Sequence, residues 1–270
     1  MLERVQQIYK IEYRGLEMNL NSKTIVVTGG GQGLGRAMAL SLAKTGAKLA
    51  LIDLNEEQLQ ATVAMVEEAG SQAKYYLANV TNESEVEATF KKINEDFSGI
   101  DGLINNAGIL RDGMFVKAKD GVVSKKMSLD QFQSVIDVNL TGVFLCGREA
   151  AVHMIEGNRK GVIINMSSIA RGGNMGQTNY AASKAGVVAM TVTWARELGR
   201  HGIRVGAIAP GVIRTAMTDA MKPEMRERLE KMKPVGRLGE ADEIAHSVNY
   251  IFENEFFTGR VVEIDGGLCM

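Results

Sequence analysis

The chain has 270 residues, 45% of them hydrophobic. That is enough to bury roughly three-quarters of the surface its unfolded form exposes, and α/β chains of this length routinely stay one domain. A net charge of −1, two cysteines (Cys146, Cys269), scattered His153, His201 and His246, and no apolar run of about 18 residues exclude a nucleic-acid field, a disulfide framework, a metal cluster and a membrane span, so a soluble, cytoplasmic, metal-free protein acting on a small or carrier-bound substrate is expected.

Residues 1–17 precede a second methionine, Met18, and are read as an N-terminal extension: an upstream start, a cloning remnant or a poorly ordered arm ahead of a domain spanning 18–270. Val- and Ile-rich runs then predict seven strands, at 24–28, 48–53, 73–80, 102–106, 162–166, 204–209 and 261–264. Helical patterns separate them. The first helix begins near Leu34, after the turn Thr28-Gly29-Gly30-Gly31-Gln32-Gly33-Leu34-Gly35. The second lies between an Asn55 cap followed by Glu56 and Glu57 and a stop at Gly70. Val86, Phe90, Ile93 and Phe97 recur at spacings of four, three and four and define one buried helix face. The segment 110–127 reads as a solvated loop, although Asp120-Gly121 is a hairpin signal. Ser128-Leu129-Asp130-Gln131 has capping-box form ahead of a long helix to about His153, and a second long helix covers about 177–200. Strands alternating with helices predict one doubly wound, Rossmann-type α/β domain with a seven-stranded parallel sheet covered on both faces.

Chemistry concentrates at three places. Glycines between a strand and a helix let the backbone approach a diphosphate, whose charge meets the N–H groups and positive end of the helix. A ligand-free tight turn uses some of the same residues. Asp53 closes the second strand, where a carboxylate accepts hydrogen bonds from ribose hydroxyls and repels a 2′-phosphate; no Arg or Lys stands between Gly30 and Leu34 or in the two positions after Asp53, so NAD is expected over NADP. The same aspartate could simply start a turn. Tyr180 and Lys184 are four apart, hence on one helix face, and an adjacent ammonium is expected to draw a phenol's pKa down from ~10 toward the working range.

The glycine spacing Gly29, Gly33, Gly35, with Asn105-Asn106-Ala107-Gly108, Asn139, Ser167-Ser168, Tyr180-Ala181-Ala182-Ser183-Lys184 and Pro210-Gly211-Val212-Ile213-Arg214-Thr215 in that order, resembles the short-chain dehydrogenase/reductase family from about residue 20 onward. Gly176 to Gly186 and the ending Thr258 to Gly267 are similar to its 3-oxoacyl-[acyl-carrier-protein] reductases. The resemblance implies hydride transfer between a nicotinamide and a carbonyl or secondary-alcohol carbon. Tyr180 would handle the proton, Lys184 would bond the nicotinamide ribose, Ser168 would position the carbonyl and Asn139 would anchor a relay water. Ser167 remains the alternative serine, because it lies at the usual thirteen residues from the tyrosine. Gly29, Gln32, Gly33, Leu34 and Gly35 would cradle the diphosphate, Asn79 and Val80 would contact adenine, Asn106, Ala107 and Gly108 would pack beside adenosine, and Pro210, Gly211, Ile213 and Thr215 would hold the nicotinamide.

The implied reactions are 3-oxoacyl thioester reduction or, alternatively, NAD-linked oxidation of a secondary alcohol, sterol or polyol. A non-catalytic nucleotide sensor is the remote alternative, and retention of Tyr180 and Lys184 speaks against it. Arg159, Lys160 and His201 fall at basic contacts for a carrier protein, or are solvated helix-end charges. Met217, Met221 and Met225 fall at the family's substrate lid, or simply pack a helix. A homodimer or homotetramer through the two long helices is implied. Against the family pattern, 110–127 is roughly nine residues longer than usual.

Overall fold

The computed structural model describes residues 18–215, 218 and 223–268; the N-terminal extension, Met217, Met221 and Cys269 lie outside the described residues. Among the described residues nine strands follow in chain order: β1 Thr24–Thr28, β2 Lys48–Asp53, β3 Ala73–Leu77, β4 Gly102–Asn105, β5 Val116–Lys119, β6 Val122–Lys126, β7 Val162–Met166, β8 Arg204–Pro210 and β9 Val261–Ile264. Seven form one parallel sheet in the order β3-β2-β1-β4-β7-β8-β9. The strand order reverses direction beside β1, so a crevice opens between the carboxyl ends of β1 and β4, where ligands settle in such sheets.

The helices are α1 Gly33–Ala43, α2 Glu56–Glu68, α3 Glu83–Phe97, α4 Leu129–Ile136, α5 Gly142–Glu156, α6 Thr178–Leu198, α7 Pro223–Lys231 and α8 Ala241–Glu253. Period-two alternation assigns the strand residues to two cores. Ile25 and Val27 of β1 and Leu49 and Leu51 of β2 join Met38 and Leu42 of α1 and Ile251 and Phe252 of α8. Their neighbours Val26, Ala50 and Ile52 turn to the other face, against Phe90 and Ile93 of α3 and Leu145 and Ala150 of α5. All four periodic residues of α3 are buried, as their spacing predicts.

Three elements depart from expectation. β3 stops at Leu77 rather than at 80, because the Asn79 side-chain oxygen accepts from the backbone N–H and the hydroxyl of Thr81 and turns the chain out of the sheet. The helix capped by Ser128 is interrupted by a π-turn at Asp137–Thr141, closed by the Gly142 N–H donating to the Asp137 carbonyl. The segment read as a solvated loop contains an antiparallel hairpin, β5–β6. Asp120 (φ 51°) and Gly121 (φ 78°) both take the left-handed backbone that a two-residue hairpin turn requires. Branched Val116, Val122 and Val123 favour extended flanks.

Candidate active site

The carboxyl ends of the central strands enclose a cavity of about 900 Å³. Its walls include Gly29, Gln32, Leu34, Asp53, Asn79, Val80, Asn106, Ala107, Gly108, Ser168, Tyr180, Lys184, Pro210, Gly211, Ile213 and Thr215, which brings together nearly every residue singled out in the sequence. Gly33, Gly35 and Asn139 do not line it.

The turn between β1 and α1 is built for close approach. A Cβ on Gly35 would lie 2.0 Å from the Gly29 carbonyl oxygen, so only glycine lets the helix start there. Asn106 holds the turn from the next strand by donating from Nδ2 to the carbonyls of Thr28 and Gly29, at 3.1 Å each. The Thr28 hydroxyl in turn accepts from the N–H groups of Asn106 and Ala107. α1 has no side-chain cap on Gln32 and no acidic residue in its first turn, whereas α2 and α3 are capped by Asn55 and Asn82 and begin with glutamates. The N–H groups opening α1 therefore face the cavity without a protein acceptor on the cap, which fits a diphosphate.

Asp53 anchors the turn that follows β2. Its Oδ2 accepts from the Gly31 N–H at 3.1 Å, and its Oδ1 from the N–H groups of Leu54 and Asn55. It thus performs the turn-starting role and still lines the cavity. Arg36 lies nearby, but its guanidinium donates to the Gly31 carbonyl, the Gln58 Oε1 and the Thr62 hydroxyl and does not line the cavity. The only cations on the walls, among the described residues, are Arg111 and Lys184. Asn79 lines the wall with its carbonyl oxygen held by Thr81, so the adenine contact expected through that oxygen has a competitor.

Tyr180 and Lys184 share one face of α6, with the ammonium 5.6 Å from the ring centroid. Lys184 is 4% exposed, and its Nζ donates to the Met166 carbonyl at 2.7 Å; burial drops its pKa to about 8. Burial pushes the Tyr180 hydroxyl above its usual value, a hydrogen bond with Ser168 acts downward, and the charge of Asp112 acts upward. The expected lowering of the phenol by Lys184 is therefore absent in this geometry: desolvation dominates, and the ammonium is directed to a carbonyl.

The two serines differ. The Ser167 hydroxyl is buried and donates to the Lys184 carbonyl at 3.0 Å, tying β7 to α6. Ser168 is part-exposed in the cavity, accepts from the Ala170 N–H and bonds Tyr180. Asn139 sits in the π-turn, fully buried, with Oδ1 accepting from the Ile109 N–H at 2.8 Å and Nδ2 donating to the Ile109 carbonyl at 3.0 Å. Its side chain clamps the segment that leaves Gly108 and does not line the cavity. Thr218 braces the wall at Thr215, its hydroxyl accepting from the Thr215 N–H at 2.8 Å. Met225 is exposed on α7 and does not line the cavity.

Sequence reasoning passed over the mouth of the site. Arg111 and Asp112 line it, and Gln177 donates to Asp112 at 2.9 Å. Asn179, fully buried, donates to the carbonyls of Arg111 and Gln131 and accepts from the Tyr180 N–H. An asparagine beside the tyrosine in a helix's first turn was the available signal.

A second cavity of about 540 Å³ gathers Arg159, Lys160, Arg200 and His201. Arg159 is not free for a partner: it donates to both oxygens of buried Asp101 at 3.0 Å and to the Ser98 carbonyl. This cavity lies at the amino ends of β4, β7 and β8, the edge of the sheet opposite the first cavity.

Residues 29–269 match a family model described as enoyl-(acyl carrier protein) reductase. The chain is 39% identical over 256 residues to the 3-oxoacyl-[acyl-carrier-protein] reductase FabG of Thermotoga maritima, covering 94% of this chain and all of that protein. It is 37% identical over 253 residues to the Staphylococcus aureus (strain Mu50) protein of the same name, and 37% over 254 residues to Nodulation protein G of Rhizobium sp. strain N33, with 92% and 93% of this chain covered and 99% and 98% of those proteins. With a glycine-turn cavity, a parallel seven-stranded sheet and a Tyr-Lys pair lining that cavity, the chain belongs to the short-chain dehydrogenase/reductase family of nicotinamide-dependent oxidoreductases.

Proposed function

We infer that the chain reduces the 3-oxo group of an acyl thioester to a 3-hydroxyl with NADH as preferred donor. The carrying observation is that Ser168, Tyr180 and Lys184 share one cavity with the uncapped start of α1 and with Asp53. The relatives named for 3-oxoacyl-[acyl-carrier-protein] substrates support the thioester. The preference for NADH is supported by Asp53, whose carboxylate a 2′-phosphate would meet with no lining cation beside it.

A nicotinamide dinucleotide held by the start of α1, Asp53, Ile213 and Thr215 would supply a hydride for the carbonyl carbon. The Ser168 hydroxyl donates to the carbonyl oxygen and orients it. Tyr180 gives its phenolic proton to that oxygen as charge develops there, while Lys184, held by the Met166 carbonyl, keeps its ammonium near the Tyr180 ring. Asn139 acts at a distance, by fixing Ile109 at the cavity wall.

Absorbance at the nicotinamide band, with acetoacetyl thioesters and a panel of secondary alcohols against each cofactor pair, tests this reading. Reduction by NADPH alone would overturn the cofactor preference. Oxidation of alcohols with no thioester turnover would favour the NAD-linked alcohol dehydrogenase, a reading that Asp53 also suits. Tyr180→Phe should lower kcat by about 10²–10⁴-fold; undiminished turnover would remove Tyr180 from the chemistry. Association through α5 and α6 into a homodimer or homotetramer belongs to the same proposal.

A further inference from the structure

The hairpin β5–β6 takes no part in the reaction described so far, and every residue of both strands is exposed. Directly paired residues share a face, and residues alternate along a strand. Val116 pairs with Lys126, Lys117 with Lys125, Ala118 with Val123 and Lys119 with Val122, with a register shift that leaves Ser124 unpaired. The Ser124 hydroxyl donates to the Lys117 carbonyl across this bulge. The register puts Val116, Ala118, Val123 and Lys126 on one face, and groups Lys117, Lys119 and Lys125 with Val122 on the other. Four lysines against Asp120 give residues 116–126 a net charge of +3 in a chain whose total is −1.

The stem ties this charge to the catalytic helix. Gly113 donates to the Gly176 carbonyl at 2.8 Å, and the Arg111 carbonyl accepts from Gln131 and Asn179. Leu110, Arg111 and Asp112 line the mouth, whereas no strand residue of the hairpin lines a cavity. A convex, charged ribbon suits a macromolecular surface, because small ligands need concave sites. The tip is Asp120 and Gly121 in a tight turn, so an aspartate would lead any insertion into lipid, and a protein partner fits better.

The geometry points to the hairpin as the docking surface for an acidic carrier protein that bears the thioester, the lysine face meeting the carrier while its tethered arm enters beside Arg111. This rests on the thioester reading above. It also separates two basic regions. Within one subunit the pocket of Lys160, Arg200 and His201 lies at the amino edge of the sheet, away from the mouth, while the hairpin rises on the side where the cavity opens.

The full-length enzyme and its Lys117→Glu/Lys119→Glu/Lys125→Glu variant should be assayed on three substrates: acetoacetyl-acyl carrier protein, acetoacetyl-coenzyme A and acetoacetyl-N-acetylcysteamine. The variant should raise KM for the carrier substrate by about tenfold or more and flatten its salt dependence, with kcat unchanged. Turnover of the N-acetylcysteamine thioester should stay at the wild-type level. Equal KM values for the carrier substrate would overturn the inference. So would a rise confined to the coenzyme A thioester, which would assign the lysines to a small anionic handle, or a loss reproduced only by Lys160→Glu/Arg200→Glu. Wild-type turnover of none of the three would instead refute the thioester reading itself. Sedimentation of both proteins with acyl carrier protein, alone, and with phosphatidylglycerol vesicles gives a readout independent of activity. Lysine-dependent binding to vesicles only, or lysine-dependent self-association only, would replace the carrier as occupant.

Discussion

Burial sets the protonation of both Tyr180 and Lys184 against their charged forms, the phenol upward and the ammonium down to about 8. The lysine has a consequence for stability. Below pH 8 it is protonated in both folded and unfolded chains, and its buried charge opposes folding in full. Between about 8 and the ordinary 10.5 the unfolded chain holds a proton that the folded chain has lost, so this group's contribution to stability rises with pH. Urea unfolding across pH 7–10 should therefore show Lys184→Met ahead of wild type at the acid end and losing that advantage at the alkaline end; a constant gap would contradict the lowered value. The serine pair separates in the same way. Ser168→Ala removes a hydroxyl from the cavity and should cost about 10²-fold in kcat. Ser167→Ala breaks the bond to the Lys184 carbonyl and should cost ~1 kcal/mol of stability with kcat near wild type. The opposite pattern, read by kinetics and denaturation on the same two proteins, would exchange their roles.

Helix ends carry a comparable division of labour. α2 and α3 have Asn caps, whereas α1 has none. Gln32→Asp would provide one, because Gln32 already has the extended backbone of a cap (φ −157°, ψ 178°). We expect this variant to gain ~0.5–1 kcal/mol of stability in the absence of cofactor. Its carboxylate would oppose the diphosphate by up to ~2 kcal/mol, so the Kd for NAD should rise about tenfold or more. Calorimetric titration and thermal melting together check this exchange; tighter NAD binding would show that the diphosphate does not use this helix. The π-turn is a second device at this scale. A continuous helix from Ser128 would present a different side chain to Ile109, and the extra residue aims Asn139 there instead.

Across the whole molecule, α5 presents Phe144 (43% exposed), Val152 (38%) and Ile155 (39%) along one outward stripe. Exposed apolar stripes on the sheet's flanking helices suit association between copies. The wild-type protein should sediment as a dimer or tetramer, and Val152→Glu should shift it toward the monomer; a wild type that sediments as a monomer at micromolar concentration would refute the stripe as an interface. The arrangement of charge belongs to this scale too. A total of −1 conceals a +3 hairpin on the mouth side and a basic pocket at the opposite edge of the sheet.

Local rules in the sequence determined the seven strands of the parallel sheet, because Val-Ile runs bounded by turn residues mark them, and six of the seven were bounded to the residue or within one. The Asn55 cap, the buried face of α3 and the glycine turn were legible for the same reason: each depends on neighbours within a few positions. Contacts between distant segments were not legible. The sequence placed Ser167 and Ser168 side by side, and only the packing of β7 against α6 turned one hydroxyl into a strut and left the other in the cavity. Proximity along the helix suggested that Lys184 lowers the Tyr180 pKa, but desolvation by the assembled core decided otherwise. The grouping of Lys117, Lys119 and Lys125 on one face of the hairpin likewise depends on a one-residue register shift between strands, which composition does not encode.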